Sequence, residues 1–368
     1  MCPGTLRGVK PAFALAVVLS LVLWPMQPVA GAAPPAVESM ELAGQRYLRL
    51  SDWAAGNSFV LRWIQRDEAL ALTNRNHQLV FQKDSKNCVF DGINVVLSYP
   101  VAVHNGVGFI AEHDLRATLA PLLSPPMAAP TNRVRTIVID PGHGGKDPGF
   151  QVGPNQEKKY TLLLALELRD QLKQAGFNVA LTRTSDTFVE KSARPEIARK
   201  LGADLFISLH WNSASTAKES VRGVQTYCVT PPGAPSSNEG ADISDTSAQP
   251  GNRNNAKNLV LAYQLQKSIV QGLGTDDRGV RRARFTVLCL AQMPAILIEG
   301  GYMSHPAESK RIYDPAYRKQ MAHAIVNGVM AYKHLVEPPA PTPAPARSGS
   351  PTNSVGSRKH IPAASRGR

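Results

Sequence analysis

Thr136-Ile137-Val138-Ile139-Asp140-Pro141-Gly142-His143-Gly144-Gly145 runs a short β-favouring segment into a turn built of proline and glycine. It opens a series that sets the fold class. Amphipathic helical spacing follows over Lys158 to Ala175, then a strand-like run from Val179 to Thr182 and a helix over about Ser192 to Leu201. Strands are expected at Leu205 to His210, Val224 to Val229 and Ala295 to Glu299, with helices over Lys257 to Leu273 and Tyr317 to Leu335. Apolar runs with period two that alternate with runs of period 3.6 predict an α/β domain, a largely parallel sheet flanked by helices, over residues 134–337.

Upstream, Phe59 to Trp63, Leu70 to Thr73, Gln78 to Gln82, Cys88 to Phe90 and Ile93 to Leu97 are short alternating segments between polar turns. They predict a small β-rich accessory domain over 45–123. Tyr47 to Trp53 and Phe109 to Leu115 share one order of apolar and polar positions, each an extended segment entering a short helix. Prolines at 125, 126 and 130 mark 124–133 as a linker, because proline removes a backbone donor and favours extended chain.

The ends of the chain differ in kind. Arg7 and Lys10 precede an apolar stretch from Pro11 to Val29 and the small run Ala30-Gly31-Ala32-Ala33, the pattern of an export signal over 1–32. A tail over 338–368, rich in proline and basic residues, is expected to stay outside the fold. The formal charge of +13 divides into +2 from the signal, +5 from the tail and +6 from the rest. No recognition helix or RNA-binding signature accompanies that mild excess, so nucleic acid is not the expected partner; an anionic wall polymer or membrane surface suits an exported basic tail better. Of four cysteines Cys2 leaves with the signal, and the remaining Cys88, Cys228 and Cys289 are odd in number and lack metal-site pair spacing. They read as small core residues, a Cys228 to Cys289 bridge being the alternative that export permits.

Three residues fall where an open α/β sheet gathers a site, along the carboxyl edge of its strands. His143 follows the first strand, Glu157 opens the next helix and His210 ends the strand Leu205 to His210. Two imidazoles and a carboxylate are a ligand set for catalytic zinc, with a fourth position left for water. Glu299, at the end of Ala295 to Ile298, belongs to the same edge, where a carboxylate moves a proton between water and a leaving amine. Gly300 and Gly301 leave room beside it. His305 is the accessory candidate. Gly144-Gly145-Lys146 lacks the spacing and the following Ser/Thr of a phosphate loop.

Val138 to Gly149 resembles the opening motif of the zinc-dependent N-acetylmuramoyl-L-alanine amidases of the type-3 class. Glu157-Lys158, Leu181-Thr182-Arg183, Asp204 to Asn212, Arg278-Gly279-Val280 and Leu297 to Ser304 match the same family in order. The resemblance spans roughly Arg135 to Leu335. It implies zinc on His143, Glu157 and His210, Glu299 as the catalytic carboxylate, and hydrolysis of the bond between the N-acetylmuramoyl lactyl group and L-alanine in peptidoglycan. Arg194 stands where the family has an arginine before a helix, and orients loops. Trp211 replaces a small residue of the family and His305 an asparagine. The β-rich segment resembles the accessory domain named after the N-terminal region of copper amine oxidases, with no copper implied.

Such an enzyme works in the periplasm or the extracellular wall space. Two other accounts remain at this point. A zinc carboxypeptidase of envelope peptides needs a cation for the free substrate carboxylate, with Arg183, Arg281 and Arg282 as candidates. A silent wall-binding protein would lack a ligand or Glu299, and none is missing. The polar stretch from Pro231 to Asn255 reads as a surface loop. Related amidases carry a segment there that covers the zinc until an activator protein displaces it, yet this one shows no amphipathic helix for that task.

Overall fold

A computed structural model describes residues 38–129, 133–237 and 246–337. The signal over 1–32 and the tail over 338–368 lie outside the described residues, as do three residues of the linker and 238–245 of the polar loop. The described residues belong to one compact unit that begins at Glu38.

The β-rich segment comprises β1 (Ser39–Leu42), β2 (Gln45–Arg49), α1 (Leu50–Gly56), β3 (Val60–Gln65), β4 (Ala69–Thr73), β5 (Gln78–Gln82), β6 (Asn87–Phe90), β7 (Ile93–Val96), β8 (Ala102–His104) and β9 (Val107–Ala111). Short helices α2 (Glu112–Asp114) and α3 (Ala120–Leu123) close it around a π-turn. The two halves of the sequence echo are β2 running into α1 and β9 running into α2, and they pair antiparallel, Tyr47 opposite Ala111. Each strand enters its helix directly, so both copies bury their apolar residues, Tyr47 and Leu50 in one, Phe109 and Ile110 in the other.

The rest supplies β10 (Thr136–Pro141), β11 (Gln151–Val152), β12 (Asn155–Gln156), α4 (Glu157–Gln174), β13 (Asn178–Leu181), α5 (Ala193–Lys200), β14 (Leu205–Asn212) and β15 (Val224–Val229). It continues through α6 (Asn255–Leu273), β16 (Asp277–Ala283), α7 (Thr286–Cys289), β17 (Ala295–Tyr302), α8 (Pro306–Tyr313) and α9 (Pro315–Val336). Among the described residues, eleven strands form one sheet in the order β13-β10-β14-β17-β15-β16-β7-β6-β5-β4-β3. Neighbours from β13 to β17 run parallel, as do β15 and β16, whereas β15 meets β17 antiparallel. The β3 to β7 meander joins this sheet through Val95 beside Val280, so the β-rich segment and the α/β part share a sheet.

Alternation along the strands divides the core. Ile137, Ile139, Leu205, Ile207, Leu209, Ile296 and Ile298 pack into the large layer under α4, α6 and α9. Val138, Phe206, Ala295 and Leu297 face the smaller layer with Ala198 of α5 and Val287 to Cys289 of α7. Burying such side chains contributes about 1.5–3 kcal/mol each, so the well-covered face carries the stability. The thinly covered face is left for chemistry. Among the described residues Cys88, Cys228 and Cys289 are buried and no disulfide joins Cys228 to Cys289, which answers the bridge alternative; burial drives the Cys88 thiol far up.

Candidate metal centre and cleft

By the same period of two, Asp140, Ser208, His210 and Glu299 fall on the thinly covered face, where β10, β14 and β17 end. His210 lies directly opposite Glu299 in the parallel register. His143 comes from the turn after β10, and Glu157 from the first turn of α4. The nitrogens of both histidines and a carboxylate oxygen of Glu157 lie within 4.8 Å of one another, a candidate metal cluster.

Glu157 Oε1 is 3.0 Å from His143 Nε2 and 3.0 Å from His210 Nδ1, and it also accepts the Trp211 N–H at 3.1 Å. Its Oε2 accepts the Phe150 N–H at 2.9 Å. Burial pushes the Glu157 carboxyl up, but hydrogen bonds from the two imidazoles outweigh it and hold the group well below its usual range. Burial likewise opposes the charge on His143, and Glu157 and Asp147 overcome it, leaving the imidazole raised. One oxygen of the Glu157 carboxylate thus faces a nitrogen of each imidazole. A divalent cation with a preference for nitrogen and carboxylate ligands fits the same donors.

The outer nitrogen of His143, Nδ1, meets Asp147 Oδ2 at 2.9 Å, and Asp147 Oδ1 accepts the Gly149 N–H at 3.1 Å. A carboxylate on the far nitrogen of a ligand fixes its tautomer and its ring plane. Close approach is secured by glycine. A Cβ on Gly142 would lie 2.3 Å from His210 Cε1, and one on Gly149 would lie 2.6 Å from Glu157 Oε2.

Beneath the ligand turn lies a buried clamp. Asp140, with no exposed surface, accepts from Thr182 Oγ1, Ser208 Oγ and Arg194 Nη1. Arg194 goes on to the Pro141 and His143 carbonyls, and Arg183 to those of Pro141, Gly142 and Lys158. Arg194 thus orients the loop as the sequence suggests. Arg183 is spent on backbone carbonyls and is not free to hold a substrate carboxylate. Arg282 is likewise committed, donating to the Ala117 carbonyl on the opposite face.

Glu299 stands half-buried at the floor of a cleft of about 770 Å³ whose walls include Phe188, Lys191, Trp211 and Phe285. Its Oε2 is buried without a hydrogen-bond partner. Burial first, and then the negative charge of Glu157, raise its carboxyl well above the ordinary value. None of the described residues of the Pro231 to Asn255 loop lines this cleft. His305 is elsewhere: it caps α8, accepting the Ala307 and Glu308 N–H groups, and lines a separate hollow with Arg222. Trp211 is 1% exposed, its ring packed against Gly300. Asp147 is the residue that sequence reasoning passed over, although its spacing of four from His143 inside a glycine turn was visible.

Residues 137–331 match the family model described as N-acetylmuramoyl-L-alanine amidase. The chain is 34% identical over 243 residues to the N-acetylmuramoyl-L-alanine amidase AmiC of Neisseria meningitidis serogroup B, covering 60% of this chain and 57% of that protein. It is 31% identical over 235 residues to the amidase AmiA of Salmonella typhimurium, covering 57% of this chain and 80% of that one. The solved amidase AmiC2 of Nostoc punctiforme is 33% identical, with a TM-score of 0.46, over 54% of this chain and 97% of that structure.

Proposed function

Because the chain belongs to the N-acetylmuramoyl-L-alanine amidase family, we propose that it hydrolyses the amide between the muramoyl lactyl group and L-alanine of peptidoglycan, with zinc on His143, Glu157 and His210. The observation that carries the mechanism is Glu299, whose Oε2 is buried without a partner and which stands opposite His210, its carboxyl raised by burial and by Glu157. Zinc held by these residues would supply a Lewis acid for the amide carbonyl and would offset the Glu157 charge that adds to burial in raising the Glu299 carboxyl.

Water adds to the carbonyl carbon as its proton passes to Glu299. The C–N bond then breaks and Glu299 returns that proton to the leaving nitrogen, giving a free alanyl amine and a lactyl carboxylic acid that loses its remaining proton to solvent. Asp147 keeps His143 in one tautomer, and the Arg183 and Arg194 clamps hold the ligand turn still, so the site reorganises little during reaction. Phe188 and Phe285 give the cleft apolar walls that limit water around the reacting amide. The substrate is a wall polymer, so the enzyme acts outside the cytoplasm, in the periplasm or the wall space. Among the described residues no helix is long and apolar enough to cross a membrane. An activator protein and a hold on anionic polymers through the basic tail belong to this proposal as partners.

The test is release of lactyl carboxyl and L-alanine amino ends from purified peptidoglycan, with and without a chelator and beside Glu299→Gln. Release by the zinc-loaded chain that ends with chelation, and that falls by at least about a hundredfold in the variant, supports the reading. Undiminished release by Glu299→Gln would remove that residue from the reaction.

A further inference from the structure

Two guanidinium groups on the cleft face of the sheet, next to the lining of the cleft and not part of it, have no acid to pair with among the described residues. On β15, Gln225 and Tyr227 lie opposite Glu299 and Leu297 of β17, and Arg281 of β16 lies opposite Tyr227. Residues directly opposite in neighbouring strands share a face of the sheet. Leu297, Tyr227 and Arg281 thus form a row on the cleft face, while Arg282 goes to the other side and reaches Ala117. Arg278 lies over the Tyr302 ring at 5.3 Å, and the Tyr302 hydroxyl accepts from Gln225 Nε2 at 3.3 Å, which brings the second guanidinium to the same strip. Phe285, a wall of the cleft, packs on Tyr227 with ring centroids 5.1 Å apart, so strip and cleft are continuous.

Among the described residues neither arginine forms an ion pair. The one side-chain hydrogen bond of Arg281 runs from Nε to the Arg278 carbonyl at 3.2 Å, which leaves its terminal nitrogens free. The Nε of Arg278 is buried with no acceptor among the described residues. Two neighbouring cations repel, and a half-buried guanidinium without an acceptor is costly. Both costs are relieved by an anion, and the planar fork of arginine matches a carboxylate with two parallel bonds.

We infer that Arg278 and Arg281 form a carboxylate subsite for the peptide part of the substrate, reading an acidic residue two to three positions beyond the cut bond; this rests on the amidase reading above. Two strand spacings separate β16 from β17, roughly 10 Å, and extended peptide advances about 3.3 Å per residue. A carboxypeptidase needs its cation one residue from the cut bond, so the placement suits an endo-acting cut at the head of a longer acidic peptide.

The experiment compares two N-acetylmuramoyl-L-alanyl peptides of equal length, one with free side carboxylates at the second and third residues and one with carboxamides there. The zinc-loaded full chain should favour the carboxylate peptide by about 10- to 100-fold in kcat/KM, mostly through KM, the range for a hydrogen bond to a charged group. Arg281→Gln should bring that ratio towards one and Arg281→Lys should restore part of it, with melting curves confirming that both variants are folded. Calorimetric binding of the carboxylate peptide to the metal-free chain should weaken by a similar factor in Arg281→Gln. Equal cleavage of both peptides by the wild type, or a full preference kept by folded Arg281→Gln, overturns the subsite. Cleavage of neither peptide, together with intact selective binding, overturns the amidase reading instead.

Discussion

His143 holds φ at +61°, a left-handed conformation that costs a non-glycine residue about 1–2 kcal/mol. Arg194 offsets part of this strain by donating to the His143 carbonyl at 2.9 Å, and Asp147 takes the outer ring nitrogen. The backbone and the ring are thus held from opposite ends. Asp147→Asn keeps the shape but loses the charge, and its amide can present a donor where His143 needs an acceptor. Zinc affinity should fall about 10- to 100-fold, as it does when the outer partner of a metal-bound histidine is removed. Competition with a chromophoric chelator measures this without reference to catalysis, and an unchanged affinity would leave Asp147 no part in setting the ligand.

Strand β16 links the β-rich segment to the rest of the sheet. Val280 pairs with Val95, and Asp277 fastens the joint by accepting the Asn94 N–H at 2.7 Å and, through its carbonyl, the Asn94 side chain at 3.0 Å. Gly279 makes the approach feasible: its φ is +86°, and a Cβ there would lie 2.8 Å from the Asn94 carbonyl oxygen. Gly279→Ala should therefore lower stability by roughly 1–3 kcal/mol, the cost of a strained backbone with a contact that must open. Urea denaturation reads this, and a midpoint that does not move would mean the joint adds little. This strand was the hardest to find from sequence. Asp277-Arg278-Gly279-Val280-Arg281-Arg282-Ala283 offers one large apolar residue in seven, because Arg281 lies beside Tyr227 on one face and Arg282 reaches Ala117 on the other. Helices α4, α6 and α9, by contrast, lie within a few residues of their expected bounds, since each packs one apolar stripe on the sheet.

At the scale of the molecule, several buried phenols set an alkaline limit. Burial pushes the Tyr317 hydroxyl up to about 12, with Arg311 opposing and Glu308 adding to the shift, and burial drives Tyr227, Tyr263 and Tyr332 higher still. In the unfolded chain these groups titrate near about 10. Raised folded values mean that the stability they contribute is complete below about pH 10 and is lost as pH climbs through the folded values. Melting temperature should hold up to about pH 10 and then drop, with tyrosinate absorbance appearing together with unfolding; tyrosinate that forms well before the drop would show these phenols are open to water. The sequence by itself determined the α/β alternation, the short strands of the β-rich segment, the gathering of His143, Glu157, His210 and Glu299 at one edge of the sheet, and the family. Those are local or edge properties: a period of two or 3.6 records which face is buried, and a ligand at a strand end needs only the rule that parallel strands share a carboxyl edge. Only the tertiary structure decided that Asp147 backs His143, that Arg183 joins Arg194 in clamping the His143 turn, that His305 caps a helix, and that Arg278 and Arg281 lie on the cleft face of the sheet with no ion pair among the described residues. Hydrogen-bond partners such as Asp140 and Ser208, or Asn94 and Asp277, stand 68 and 183 residues apart. No pattern along the chain encodes such pairings, because they depend on which faces the packed sheet brings together.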